Sequence, residues 1–225
     1  MVFFVVIDIE CEGEGESGSE VTSWYYDGDG DGYGIGGNHF THTARRNTDL
    51  TYIVMNNQIY GLTTGQISPT SSLGMTTKST PFGNVEQPVN PLTSAIMNGA
   101  TYVARAYSGD VRHLSELIQK GIQHKGFSII DCFSPCVTFN LTNTHDFFKE
   151  RVKKLEDEEH DTSSWELACE KAMVFGDTIY TGVFFESDRA ALEDVEPVLK
   201  EGGPLSKREL GLDKDEAQKI ISRMM

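Results

Sequence analysis

Gly28-Asp29-Gly30 and Asn57 are separated by 26 residues, positions 31–56. Asp29 offers a hard carboxylate oxygen and Asn57 a neutral amide oxygen. Two such oxygens presented together suit Mg²⁺, which takes octahedral oxygen sites and shares them with phosphate groups. The glycines beside Asp29 let the backbone approach a diphosphate closely and leave N–H groups free to bind it. The segment from Gly28 to Gln66 is therefore expected to hold a diphosphate-bearing cofactor through a metal ion.

The run DGDGDGYGIGGNH, starting at Asp27, admits two other readings. Asp27, Asp29, Asp31 and Gly32 begin a calcium loop, but its twelfth position, where a bidentate Glu belongs, is Asn38. Gly32-x-Gly34-x-x-Gly37 fits a dinucleotide fingerprint. The acidic residue that should follow at a strand end is replaced by Asn56 and Asn57. The magnesium reading uses more of the sequence than either.

Ligands so far apart in sequence meet only if neighbouring strands carry them. Val21 to Tyr26 is β-branched or aromatic apart from Ser23, and Leu50 to Met55 is a buried-strand run. Between them, a helix from about Gly37 to Arg46 would aim its positive N-terminus at the same anion. Residues 57–90 are rich in Gly, Ser, Thr, Asn and Pro, and so long a loop points to function. Alternation then resumes. Asn90-Pro91 opens a helix to about Asn98, Thr101 to Ala106 is a strand, Asp110 caps a helix to about Gln123, and Phe127 to Cys132 is an apolar strand. This order predicts an α/β fold with a doubly wound, mostly parallel sheet and ligands at the carboxyl ends of its strands. After Asn140 the pattern predicts a small α+β extension. It would hold a charged helix over 145–159, a helix boxed by Ser163-x-x-Glu166, a strand from Thr178 to Phe185, and a short helix near 213–223.

The bulk composition narrows the partners. The 225 residues carry 34 acidic and 19 basic side chains, a net charge of −15. Nucleic acid needs a basic face, so that class is excluded. The longest apolar run, Val2 to Ile7, is far short of the roughly 20 residues of a membrane span. Acidic residues follow it at once, unlike a signal peptide, so the cytoplasm is the expected location. Cys11, Cys132, Cys136 and Cys169 form no Cys-x-x-Cys pair, which leaves no self-contained zinc or redox motif.

The Gly28-to-Asn57 spacing resembles the signature of thiamine-diphosphate enzymes. Longer segments, GDGDGYGIGGNHFTHTARRN, IVMNNQIYGLTTGQISPT, KSTPFG and FSPCVTFN, resemble the β subunit of 2-oxoacid:ferredoxin oxidoreductases of the 2-oxoglutarate and pyruvate branches. The likeness covers roughly residues 27–140 and continues more weakly to about residue 200. It implies a sheet of the thiamine-diphosphate-binding type. Mg²⁺ would be ligated by Asp29, Asn57 and the Ile59 carbonyl. Gly28, Gly30, Asp31 and the Gly61-Leu62-Thr63-Thr64 turn would complete the cofactor-binding set.

The resemblance also implies a partner α subunit, which supplies the Glu that activates the cofactor, so no catalytic residue is assigned in this chain. A 2-oxoacid, coenzyme A and ferredoxin are the implied substrates and electron acceptor, and CoA-dependent oxidative decarboxylation is the implied activity. Cys136 matches the family's fourth iron–sulfur ligand. A [4Fe–4S] cluster takes four thiolates, and Cys11 is the only cysteine upstream of the Gly-Asp run. The family also carries a longer region before the Gly-Asp run than the 26 residues found here. The expectation is thus a truncated, altered or split subunit, with a non-catalytic remnant as the competing reading. Its parts would be an atypical, partly disordered segment over 1–26, a cofactor-binding α/β domain over 27–140, and the family's C-terminal extension over 141–225.

Overall fold

The computed structural model describes residues 2–3, 6–7, 25–26, 31–34, 36–61, 63–202 and 214–224. In chain order its strands are β1 (Val2–Phe3), β2 (Val6–Ile7), β3 (Tyr25–Tyr26), β4 (Leu50–Asn56), β5 (Tyr102–Tyr107), β6 (Phe127–Phe133), β7 (Val152–Lys154) and β8 (Ile179–Glu186). The helices are α1 (Gly37–Arg46), α2 (Pro91–Met97), α3 (Val111–Gln123), α4 (His145–Arg151), α5 (Trp165–Met173), α6 (Leu192–Val195), α7 (Pro197–Gly202) and α8 (Lys214–Met224). Two compact units result: the chain up to Ala191, and Leu192–Met225, which holds α6 to α8.

The first unit is built on a six-stranded sheet in the order β1-β4-β6-β5-β8-β7. Strands β4, β6 and β5 run parallel, as the alternating pattern predicts, while β8 joins β5 antiparallel. Because β5 and β6 are covered on both faces, every one of their residues is buried. One face packs Phe40 of α1, Leu92 and Ile96 of α2 and Ala168 and Ala172 of α5 against Tyr52, Val54, Val103 and Phe127. The other face packs Leu117 of α3 against Ile53, Ala104 and Ile130. Helices thus wind on both sides of the sheet. Gly121 lets α3 lie close: a Cβ there would stand 2.9 Å from Ile130 Cδ1. Its carbonyl accepts from Thr51 Oγ1 at 3.1 Å and Ser128 Oγ at 2.9 Å.

Most predicted elements stand where the sequence puts them. The caps are Asn90, whose side chain accepts from Thr93 N, and Asp110, which accepts from His113 N. Two expectations are corrected. The helix predicted over 145–159 ends at Arg151, because Val152, Lys153 and Lys154 pair with Ile179, Tyr180 and Thr181 of β8. Sheet pairing, with Lys154 held 2.6 Å from Asp110, overrides the local helical pattern. The cap of α5 is Ser164, not Ser163. Ser164 Oγ accepts from Leu167 N, while Ser163 is drawn into a turn by Asp161 Oδ1. Of the strand predicted over Val21 to Tyr26, Tyr25–Tyr26 is seen as β3, and the rest lies outside the described residues. So does most of 1–26, although Val2–Phe3 adds to the sheet edge beside Leu50 and Thr51. Among the described residues no helix is long and apolar enough to cross a membrane.

The long segment between β4 and α2 lacks regular structure and is ordered by polar side chains. Asn84 is buried, and its Nδ2 donates to the carbonyls of Ser71, Ser72 and Glu86 at 3.1–3.2 Å. Asn84→Ala is expected to cost about 2 kcal/mol, since buried carbonyls lose their donor. Hydrogen exchange of the amides between Ser71 and Glu86 would read this as faster opening. Unchanged rates would mean that the loop is held elsewhere.

Candidate cofactor site

The carboxyl ends of β4 and β6 lie side by side, with Asn56 paired to Phe133. The Asn57 loop leaves β4 there and is fixed from several sides. Asn57 is buried; its Oδ1 accepts from Ile59 N at 2.9 Å, and its carbonyl accepts from Asn140 Nδ2 at 3.0 Å. Gln58 takes a left-handed backbone with φ 60°, an uncommon state for a residue with a side chain. Surrounding bonds over-determine it. Its N–H donates to Asn56 Oδ1 at 3.1 Å, its carbonyl accepts from Ser71 Oγ at 2.7 Å, and its side-chain oxygen accepts from Asn143 Nδ2 at 2.7 Å. The segment after Cys136, including Asn140 and Asn143, thus clamps the asparagine loop.

The following turn closes on itself. Tyr60 N donates to Gln66 O, Gly65 N to Tyr60 O and Thr64 N to Gly61 O, all at 2.8–2.9 Å. Thr64 has φ 78° and Gly65 φ 92°. At Gly65 the chain also passes Phe139 so closely that a Cβ would stand 3.1 Å from its side chain. Thr63 and Thr64 are exposed, Gly61 and Ile59 are buried, and Cys136 is half-buried.

The predicted site residues therefore divide. Asn57, Ile59, Gly61, Thr63 and Thr64 come together at the end of β4. Asp31 opens a 3₁₀ turn over Asp31–Tyr33 that leads into α1. Gly28, Asp29, Gly30, Leu62 and Cys11 lie outside the described residues. Helix α1 begins at Gly37 behind the glycine cap Gly36, with no side chain bonded to its first amides. That leaves an N-terminus suited to an anion. Cys132 and Cys169 are buried thiols, and burial pushes both upward from the usual thiol range.

Sequence reasoning missed a buried charge cluster directly behind Asn57. Asp131 on β6 is fully buried, and its Oδ1 accepts from Asn56 Nδ2 at 3.0 Å and from the Tyr33 hydroxyl at 3.2 Å. Arg105 on β5, also buried, brings Nε to 3.5 Å from Asp131 Oδ2. Its guanidinium lies 5.1 Å from the ring centre of Phe133 and 5.3 Å from that of Phe184. Burial pushes the Asp131 carboxyl above the usual carboxylate range, and Arg105, Asn56 and Tyr33 pull it back. The signal was present in the sequence: a charged residue inside each of two apolar strand runs, ARA and IIDC, calls for a partner.

Among the described residues one side-chain oxygen, that of Asn57, is suited to a hard divalent cation. Asn57 Oδ1 spends one lone pair on Ile59 and keeps the other for a metal. The amides of Tyr60, Thr64 and Gly65 are spent within the turn, and Gly37 N and His39 N donate to Gly34 O and Gly36 O, so what the α1 N-terminus offers an anion is chiefly its dipole. A cleft of about 760 Å³, lined by Tyr107, Asp110, Lys149 and Lys154 among others, contains none of these residues.

Comparison with known proteins bears on this arrangement. A family model described as thiamine pyrophosphate enzyme, C-terminal TPP binding domain, matches residues 16–132. A second, describing the C-terminal region of the pyruvate ferredoxin oxidoreductase beta chain, matches residues 136–201. The chain is 44% identical over 164 residues to the 2-oxoacid:ferredoxin oxidoreductase subunit beta of Saccharolobus solfataricus, covering 68% of this chain and 54% of that one. It is 49% identical over 105 residues to the 2-oxoglutarate synthase subunit KorB of Methanocaldococcus jannaschii, covering 47% and 39%. Among solved structures it resembles the 2-oxoglutarate:ferredoxin oxidoreductase from Magnetococcus marinus with 2-oxoglutarate, coenzyme A and succinyl-CoA bound. That match has a TM-score of 0.75 and 41% identity, and covers 88% of this chain and 65% of that one. The chain spans about half the length of curated relatives it matches, 54% and 51% for two of them.

Proposed function

Because this chain belongs to the thiamine-pyrophosphate enzymes, in the branch of 2-oxoacid:ferredoxin oxidoreductase β subunits, we propose that it binds thiamine diphosphate through Mg²⁺ in a complex with an α subunit. The complex would carry out CoA-dependent oxidative decarboxylation of a 2-oxoacid and pass electrons to ferredoxin. The observation that carries this reading is Asn57, buried and fixed at the carboxyl end of β4 with one side-chain lone pair unspent.

In this proposal the Asn57 amide oxygen, the Ile59 carbonyl and Asp29 hold the metal. Gly28, Gly30, Asp31 and the turn from Gly61 to Thr64, Leu62 included, hold the diphosphate. Bound thiamine diphosphate supplies the electron sink for loss of CO₂ from a 2-oxoacid. This chain's contribution is to bind and orient it, and the acid that activates it is assigned to the α subunit. Among 2-oxoacids, 2-oxoglutarate is favoured over pyruvate, because several relatives are named for it and the solved relative holds it. Cys136 is assigned as a ligand of an iron–sulfur cluster only if partner or upstream thiolates complete the set. A cofactor-holding part over 27–140 and an extension over 141–225, in the cytoplasm, belong to the same proposal.

The test is calorimetric titration of the chain, co-purified with its α subunit, with thiamine diphosphate. Binding that requires Mg²⁺ and disappears with excess chelator is expected. A complex that takes up no thiamine diphosphate at millimolar Mg²⁺ would sink the proposal and favour the non-catalytic reading.

A further inference from the structure

We propose that Asp131 is the positioning residue that holds the Asn57 loop of the cofactor site against the turn over Asp31–Tyr33. The inference rests on the cofactor reading above and adds a residue outside the Gly-Asp-Gly and Asn motifs.

The turn over Asp31–Tyr33 and Asn56, immediately before the proposed ligand Asn57, lie far apart in sequence, and a shared partner holds them together. Asp131 Oδ1 accepts from both sides. Tyr33 closes the 3₁₀ turn in which the Asp-Gly run ends, and its hydroxyl reaches this oxygen at 3.2 Å. Asn56 immediately precedes Asn57, and its Nδ2 reaches the same oxygen at 3.0 Å. One oxygen atom thus joins the Asp31–Tyr33 turn to the residue that precedes Asn57. The other face of Asn56 is committed too, since its Oδ1 accepts from Thr70 Oγ1 at 2.8 Å and Gln58 N at 3.1 Å. The Asn56 amide therefore cannot rotate without breaking three bonds.

The carboxylate is itself held from behind. Arg105 faces Oδ2, and its guanidinium lies beside Phe133 and Phe184. The cluster sits in the middle of the sheet, at the register point where Asp131 pairs with Val54 on one side and Arg105 on the other. Rigid support of this kind matters for Mg²⁺, which demands near-ideal octahedral geometry. Supports behind the ligands of a metal are typically worth ten- to a hundredfold in affinity. A second tie, from Tyr52 Oη to Gly32 O at 3.3 Å, joins the same two segments without passing through Asp131.

The test uses the complex with the α subunit and three single variants. Tyr33→Phe removes one donor and keeps the ring packed on Phe40. Asp131→Asn offers Arg105 a donor where it had an acceptor. Thr51→Val is the control: it deletes a buried hydroxyl of the same strand, bonded to Gly121 away from the cradle. Mg²⁺ affinity is measured at saturating thiamine diphosphate, alongside thermal stability and the electron paramagnetic resonance line shape of Mn²⁺ in the site.

The expected result is about a tenfold loss of Mg²⁺ affinity in Tyr33→Phe and Asp131→Asn. The double variant should lose no more than the worse single one, because both act through one joint. Their Mn²⁺ spectra should broaden, while Thr51→Val loses stability alone. Unchanged metal affinity and spectrum in Tyr33→Phe and Asp131→Asn, with only a lowered Tm, would overturn the inference. If Asp131→Asn does not fold, Tyr33→Phe decides. Absence of cofactor binding in the unsubstituted complex would overturn the cofactor reading itself, and this inference with it.

Discussion

Asn57→Ala is expected to weaken thiamine diphosphate binding by more than about a hundredfold at fixed Mg²⁺, measured by titration calorimetry on the complex with the α subunit. The magnitude follows from position. Losing a support behind a metal ligand already costs ten- to a hundredfold, and here the ligand oxygen itself is removed. A hundredfold is about 2.7 kcal/mol of binding. The effect on folding should be much smaller. Asn57 Oδ1 makes one bond within the protein, to Ile59 N, and the bond from Asn140 goes to the Asn57 backbone, which alanine keeps. Loss of one such bond is worth about 1 kcal/mol, or a Tm shift of about 2–4 °C in a domain of this size. Asn57→Asp restores an oxygen at the same place and should recover Mg²⁺ binding. Equal cofactor affinity in Asn57→Ala and the unsubstituted complex would remove Asn57 from the site.

The place of Asn57 just past the end of β4 was legible because it follows from one strand. The strand runs of β4, β5 and β6 were legible for a similar reason: they are short, apolar and bounded by turn residues. What could not be read was whatever depends on pairing across the sheet. Val152 to Lys154 continue a charged helical pattern in sequence but pair with β8 in space, and only the structure supplies that partner. Ser163 and Ser164 both satisfy a cap pattern, and the choice falls to Ser164 because Asp161 takes the other. The loop between β4 and α2 was recognised as unusual, but its order comes from Ser71, Asn84 and Asn143, whose partners lie 13 to 85 residues away. Thr63 and Thr64 sit in the turn the resemblance implies, and the strained backbone of Gln58 and Thr64 has no signature in residue type alone. Asp131 and Arg105 were visible as charges in apolar runs. Their joint meaning needed the register that sets them beside each other and beside Asn56.

Arg105→Met is expected to destabilise the chain by about 3–5 kcal/mol, because it leaves Asp131 as an uncompensated charge in the core. Arg105 is 3% exposed and Asp131 not at all, so water cannot take over the lost contact. Against a typical total of about 5–15 kcal/mol, the loss would be plain in urea unfolding. Its pH dependence has a definite sign. Burial already holds the folded Asp131 carboxyl above its ordinary range, and Arg105 is the largest influence opposing that rise. Without Arg105 the folded value climbs further, while the unfolded value stays near about 3.9. A carboxyl of this kind favours folding most below its unfolded value and loses that contribution as pH rises toward its folded value. The deficit of Arg105→Met relative to the unsubstituted chain should therefore shrink as pH falls from about 7 toward about 5. A deficit independent of pH would mean that lost packing against Phe133 and Phe184, not the stranded carboxylate, carries the cost. Pairing Arg105→Met with Asp131→Leu removes the stranded charge and should recover part of the stability. The same double variant lacks the oxygen that joins Tyr33 to Asn56. It should therefore be more stable than Arg105→Met, though short of the unsubstituted chain because Asn56 and Tyr33 lose their acceptor, and bind Mg²⁺ about tenfold more weakly, which separates what the buried pair does for the core from what Asp131 does for the site.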